Sequence, residues 1–104
     1  MSKLINTTIV IPCYNEEKGI SNHEYSNFLN NNPEALICFV NDGSKDNTLE
    51  VLNVLKTKHE TQIHILSLEK NSGKAEAVRA GIKYCNTHFQ HQYIGYLDAD
   101  LATT

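Results

Sequence analysis

Ala35-Leu36-Ile37-Cys38-Phe39-Val40, stopped by Asn41-Asp42-Gly43-Ser44, is the stretch whose reading decides the fold. The apolar run does not alternate, so both faces of the strand it forms need cover, as in a parallel sheet flanked by helices. Thr7-Thr8-Ile9-Val10-Ile11-Pro12 is a second such run, upstream. Gln62 to Leu68 is a third, and Tyr93-Ile94-Gly95-Tyr96-Leu97 a fourth, also read as buried.

Helical patterns separate these runs. Ser21 and Glu24 have capping-box spacing, and Ile20 with Tyr25 fits the hydrophobic staple around it. Tyr25, Phe28 and Leu29 give an apolar face, and Asn30-Asn31-Asn32-Pro33 ends the helix. A second helix starts near Asp46 or Asn47, with Leu49, Leu52 and Leu55, or Val51 and Val54, facing inward. A third runs from Lys74, with Ala75, Val78, Ile82, Cys85 and Phe89 on one face. The order β-α-β-α-β-α-β predicts a three-layer α/β/α unit with a mostly parallel four-stranded sheet.

With 104 residues the chain suffices for one core, and 40% hydrophobic content favours folding. The net charge of −3 and the lack of a basic cluster argue against a nucleic-acid partner. No apolar run is long enough for a membrane span, and Met1-Ser2-Lys3 leads directly into a strand pattern. Cys13, Cys38 and Cys85 fit no zinc motif and read as small buried hydrophobes of a reduced, cytoplasmic protein. His23, His59, His64, His88 and His91 read as surface residues.

In parallel α/β sheets, ligands bind beyond the carboxyl ends of the strands. The suggestive residues fall there: Tyr14-Asn15-Glu16, Asp42-Gly43-Ser44, Asn71 to Lys74, and Asp98-Ala99-Asp100. Asp98 and Asp100 suit a hard divalent cation, which takes one or two carboxylates plus substrate phosphates; the plain alternative is a pair of solvated loop acids. Asp42 either accepts from a base N–H or ribose hydroxyl, or satisfies backbone N–H groups near its turn. Ser44 has the same two readings. Tyr14 offers an aromatic face, following the stiff exit at Pro12. Glu16 with Glu17 is otherwise a solvated acidic pair. Lys74, at a helix start, meets a phosphate or stands in water. The patterns of a P-loop, a dinucleotide-binding glycine fingerprint and a nucleophilic triad are all missing.

Four segments together resemble the family 2 glycosyltransferases of GT-A fold. They are Ile9-Val10-Ile11-Pro12-Cys13-Tyr14-Asn15-Glu16-Glu17, then Val40-Asn41-Asp42-Gly43-Ser44-Lys45-Asp46-Asn47-Thr48, then Glu69-Lys70-Asn71-Ser72-Gly73-Lys74 with Ala77 and Gly81, and Leu97-Asp98-Ala99-Asp100. The last two look most like the branch that glycosylates polyprenyl phosphates, such as dolichyl-phosphate glucosyl- and mannosyltransferases.

The resemblance implies a UDP- or GDP-linked sugar as donor. Pro12, Tyr14, Asn15 and Glu16 would line the nucleoside pocket. Asp42 would bind the base, Gly43 and Ser44 would shape the turn, and Lys74 would lie by the diphosphate or ribose. Asp98 and Asp100 would hold Mg²⁺ or Mn²⁺. The reaction implied is inverting transfer to an acceptor, a polyprenyl phosphate or a growing glycan. Asn41 departs from the resemblance: many relatives carry an acid there, and Asn keeps the hydrogen bonding without the charge.

The family's domain continues past the D-x-D. Residues 1–104 are therefore expected to be its nucleotide-sugar-binding part, with the acceptor-side base beyond Thr104 and any membrane association in a longer parent. As a fragment the chain is expected to be inactive and to self-associate. A non-catalytic nucleotide-sugar-binding module is the competing reading. A sugar nucleotidyltransferase ranks below it, because no glycine-rich loop follows the first strand.

Overall fold

The computed structural model describes residues 6–99. The elements are β1 (Thr7–Cys13), α1 (Asn22–Asn31), β2 (Ala35–Asp42), α2 (Thr48–Lys58), β3 (Ile63–Leu68), α3 (Lys74–His88) and β4 (Tyr93–Tyr96). They form one four-stranded sheet in the order β3-β2-β1-β4, with every neighbouring pair parallel. The predicted fold class is the observed one.

The sheet separates two cores. On one side Ile11, Ile37, Phe39 and Ile63 meet Tyr25 and Leu29 of α1 and Leu52 and Leu55 of α2. On the other, Val10, Leu36, Cys38 and Val40 meet Ala77 and Cys85 of α3. Every residue of β2 is buried, which explains its unbroken apolar run. That strand runs on through Asn41 and Asp42, so both polar residues belong to the strand rather than the turn.

Local chemistry fixes the helix ends. The Ser21 hydroxyl accepts from Glu24 N at 3.1 Å, and Ile20 and Tyr25 are buried together, as the staple requires. The Gln62 side-chain amide closes the turn that follows α1: its Nε2 donates to the carbonyls of Asn32 and Ala35 at 2.9 and 3.0 Å. Helix α3 lies close against the sheet because Gly81 has no side chain. A Cβ there would stand 2.5 Å from Val10 Cγ1 and 2.7 Å from Val40 Cγ2.

Several sequence-based expectations need correction. Strand β4 is not buried: it is the sheet edge, with Tyr93 67% and Tyr96 55% exposed. The inward face of α2 is Thr48, Leu52 and Leu55, while Leu49 and Val54 are exposed. The inward face of α3 is Ala77, Val78, Gly81 and Cys85, and Ala75 is exposed. Val78 and Cys85 are buried and Ile82 and Phe89 pack against the core, as expected; Ala77 and Gly81, not Ala75, complete the face. The histidines are not all on the surface. His64 is half-buried against Phe89, ring centroids 4.6 Å apart, and His59 Nε2 lies 2.9 Å from Ser26 Oγ. All three cysteines are free and buried.

Candidate functional site

The carboxyl ends of the four strands meet around a cleft of about 470 Å³. Its lining comprises Pro12, Cys13, Tyr14 and Glu16 after β1, Asp42 at the end of β2, Asn71 and Lys74 around the start of α3, and Asp98 and Ala99 after β4. Strand β4 pairs with β1 only as far as Val10, two residues before Pro12, so the missing proline N–H leaves no β4 ladder bond unmade.

Pro12, Tyr14, Glu16, Asp42, Lys74 and Asp98, six of the residues singled out in the sequence, are thus brought together. Asn15, Gly43 and Ser44 stand behind the cleft and join its walls. Asn15 takes φ +53°; its N–H donates to Ser44 Oγ at 3.0 Å, and its Oδ1 accepts from Lys45 N at 2.9 Å. Glu16 N donates to Thr48 Oγ1 at 2.8 Å, and Glu17 N to Asp46 Oδ2 at 3.3 Å. Glu17 Oε1 in turn accepts from Asn47 N, so the expected solvated acidic pair instead sits in a seam between two loops. Asp46 also accepts from Thr48 Oγ1 at 2.5 Å, and that bond is the main reason its carboxyl titrates below the ordinary range. Asn41 Oδ1 accepts from Ser44 N at 3.3 Å, which keeps this buried amide inside its own turn.

Asp42 does satisfy backbone N–H groups, as one of its two readings had it, but not those of its own turn. Its carboxylate serves backbone and side-chain donors of a loop some thirty residues later: Asn71 Nδ2, Ser72 N, Ser72 Oγ and Gly73 N, at 2.9 to 3.1 Å. Lys74, first residue of α3, forms an ion pair with Asp98 across the cleft and lies 5.8 Å from the Tyr96 ring centroid. Both partners are more than half exposed, so the pair is solvent-screened and open to exchange of partners. Burial first, and the Glu16 charge second, push the Cys13 thiol up to about 12, which disfavours its thiolate form.

Asp100 lies outside the described residues. Among the described residues no group of three His, Cys, Asp or Glu side chains is placed to hold a metal ion. A divalent cation with substrate phosphates needs only one or two carboxylates, and Asp98, on the cleft wall and open to solvent, fits that smaller requirement. No helix among the described residues is long and apolar enough to cross a membrane.

Cys13, Asn71 and Ala99 also line the cleft, the last two within segments placed at this edge but given no role of their own. Asn71 had a signal, its place in the polar loop after β3; Cys13 and Ala99 read only as small apolar residues. Tyr25 was read as a core residue alone. Its hydroxyl also donates to the Ala99 carbonyl, which pins the segment carrying Asp98 to α1.

Comparison with known proteins agrees with this geometry. A dolichyl-phosphate beta-glucosyltransferase of Trichomonas vaginalis is 42% identical over 95% of this chain and 30% of its own length. A poly-beta-1,6-N-acetyl-D-glucosamine synthase of Staphylococcus epidermidis is 36% identical over 89% of this chain and 21% of its own. The chain therefore spans less than a third of either relative. Among solved structures, S. aureus TarS 1-349 in complex with UDP superimposes with a TM-score of 0.71 at 26% identity, covering 92% of this chain and 28% of TarS 1-349. The same protein in complex with UDP-GlcNAc gives 0.70 at 25%, over 92% and 27%. The sheet and its helices match the GT-A fold of TarS. The profile of glycosyl transferase family 2 matches residues 8–104, and the chain belongs to that family.

Proposed function

We propose that this chain binds a nucleotide-diphosphate sugar in the cleft at the sheet's carboxyl edge, as the donor site of an inverting glycosyltransferase. The observation that carries the reading is the convergence of four strand-end segments on one cleft, with Lys74 and Asp98 facing each other across it. The UDP and UDP-GlcNAc complexes of TarS support a UDP-linked donor.

Pro12 and Tyr14 form the nucleoside side, and Tyr14 is exposed enough to stack on a base. Glu16 closes that wall, held by Thr48; Asn15, Gly43 and Ser44 keep the two loops in place. Lys74, at the amino end of α3, faces the diphosphate, where the helix N-terminus adds favourable potential. Asp98, with Asp100, would hold Mg²⁺ or Mn²⁺, and the cation would supply stabilisation of the charge on the leaving diphosphate. In the reaction, an acceptor oxygen bonds to the anomeric carbon from the face opposite the diphosphate. The C–O bond to the diphosphate breaks, and its electron pair leaves on the phosphate oxygen. The name of the Trichomonas relative supports a polyprenyl phosphate as acceptor, which is already ionised and needs no base; that of the Staphylococcus synthase supports a growing glycan.

The chain's own part is donor binding, so UDP is expected to bind weakly and only with the cation, without sugar transfer by this chain alone. Calorimetry with Mn²⁺, and again with EDTA, tests this. Asp98→Ala should weaken binding about tenfold or more, the loss of one charged contact. Undiminished affinity in an Asp98→Ala, Asp100→Ala double variant would refute the metal role. Turnover of UDP-GlcNAc with an acceptor would separate a complete transferase from a binding module.

A further inference from the structure

Tyr25 carries a hydroxyl where packing needs only a ring. The residue is 1% exposed on the inner face of α1, and its ring meets Phe39 edge-on, centroids 5.2 Å apart. A hydroxyl taken into such surroundings costs free energy unless it is hydrogen-bonded. This one donates to the Ala99 carbonyl, 74 residues further along the chain. Ala99 is buried too and belongs to the same core.

The bond falls beside the acid of the cleft. Leu97 N donates to the Val10 carbonyl at 3.1 Å, which ties the segment to β1. Asp98 is thus a single residue between two backbone holds, one on the sheet and one on α1. Its own side chain adds little, since its ion pair with Lys74 stands in solvent. Strand β4 is four residues long and paired on one side among the described residues, so the sheet alone holds this segment weakly. The hold from Tyr25 comes from a firmer element: α1 is capped by Ser21 and buries Leu29 as well.

We propose that Tyr25 is a positioning residue for the cation of the donor site: its hydroxyl, by holding Ala99, keeps Asp98 in place before the cation arrives. Ordering one backbone residue at the moment of binding would otherwise weaken the cation roughly tenfold. This rests on the nucleotide reading above.

The test uses the whole chain, with Mn²⁺ uptake in the presence of UDP read from the Mn²⁺ paramagnetic resonance signal, and NMR of the ligand-free protein. Tyr25→Phe keeps the ring and removes the hydroxyl. It is expected to weaken Mn²⁺ about tenfold. In the ligand-free variant the Ala99 carbonyl carbon should shift upfield, and the backbone order parameters of Asp98 and Ala99 should fall from about 0.85 towards about 0.6. Ile63→Val, in the same core but away from the cleft, should lower the urea midpoint and leave Mn²⁺ uptake unchanged. Ala99→Gly loosens the same hold from its other side; it should weaken Mn²⁺ in the same direction, and serves if Tyr25→Phe does not fold. Unchanged Mn²⁺ affinity in Tyr25→Phe, equal weakening in Ile63→Val, or an unmoved Ala99 carbonyl carbon would each overturn the proposal. A parent chain that takes up no Mn²⁺ with UDP refutes the nucleotide reading; the carbonyl shift and the order parameters then decide separately whether Tyr25 holds the segment.

Discussion

A Cβ added at Gly43 would stand 2.5 Å from Asn71 N and 2.6 Å from the Lys70 carbonyl carbon, at a backbone φ of +68°. Both contacts are with backbone, which cannot swing aside as a side chain would. The left-handed conformation alone costs a residue other than glycine about 1–2 kcal/mol. Gly43→Ala should therefore lose at least ~2 kcal/mol in urea unfolding once the clash is added. A loss under ~0.5 kcal/mol would mean that the 70–73 loop does not rest on this corner. At this scale the sequence was informative about identity and silent about partners. Asp42, Lys74 and Asp98 could be picked out because each polar residue follows an apolar run. That the Asp42 carboxylate serves a loop some thirty residues away could not, because the distance closes only when β2 and β3 pair in register.

Among the elements, the burial of β2 and the cap of α1 were legible because they depend on neighbours in the chain. The face of α3 was legible in Val78, Ile82, Cys85 and Phe89 but not in Ala77 and Gly81. Its sequence offers apolar residues on more than one side, and the choice falls to Ala77 and Gly81, whose smallness lets the helix approach Val10 and Val40. Strand β4 was misread as buried because an edge position depends on strand order, which periodicity does not encode. The packing of α3 on β3 carries a pH dependence. Burial first, then the charges of Lys56 on α2 and His88 on α3, lower the pKa of His64 below 6.5. The unfolded chain then takes up the proton more readily than the folded one. This contribution is fully present above 6.5 and is lost as the pH falls from there towards the folded-state value. Urea midpoints between about pH 7.5 and 5.5 should fall for the parent chain, and His64→Gln should flatten that fall. An unchanged slope in His64→Gln would assign the dependence to another group.

At the scale of the whole molecule, β4 leaves its outer edge unpaired among the described residues, with Tyr93, Tyr96 and Leu97 exposed beside it. Free strand edges offer N–H and C=O groups to another chain, and none of the usual edge charges interrupts Tyr93–Tyr96. We expect this chain to self-associate through that edge at micromolar concentration. Light scattering should report a dimer or larger species, reduced by Tyr93→Lys; a monomer at all concentrations would contradict the expectation. The central claim, that the carboxyl edge of the sheet is a nucleotide site, has a more direct check. Amide chemical-shift mapping with UDP and Mg²⁺ should show saturable changes clustered at Cys13, Tyr14, Asn71, Lys74, Asp98 and Ala99, with Asn6, Phe28 and Asn32 at the opposite end unmoved. Saturable changes centred on that opposite end, or none anywhere, would contradict the account.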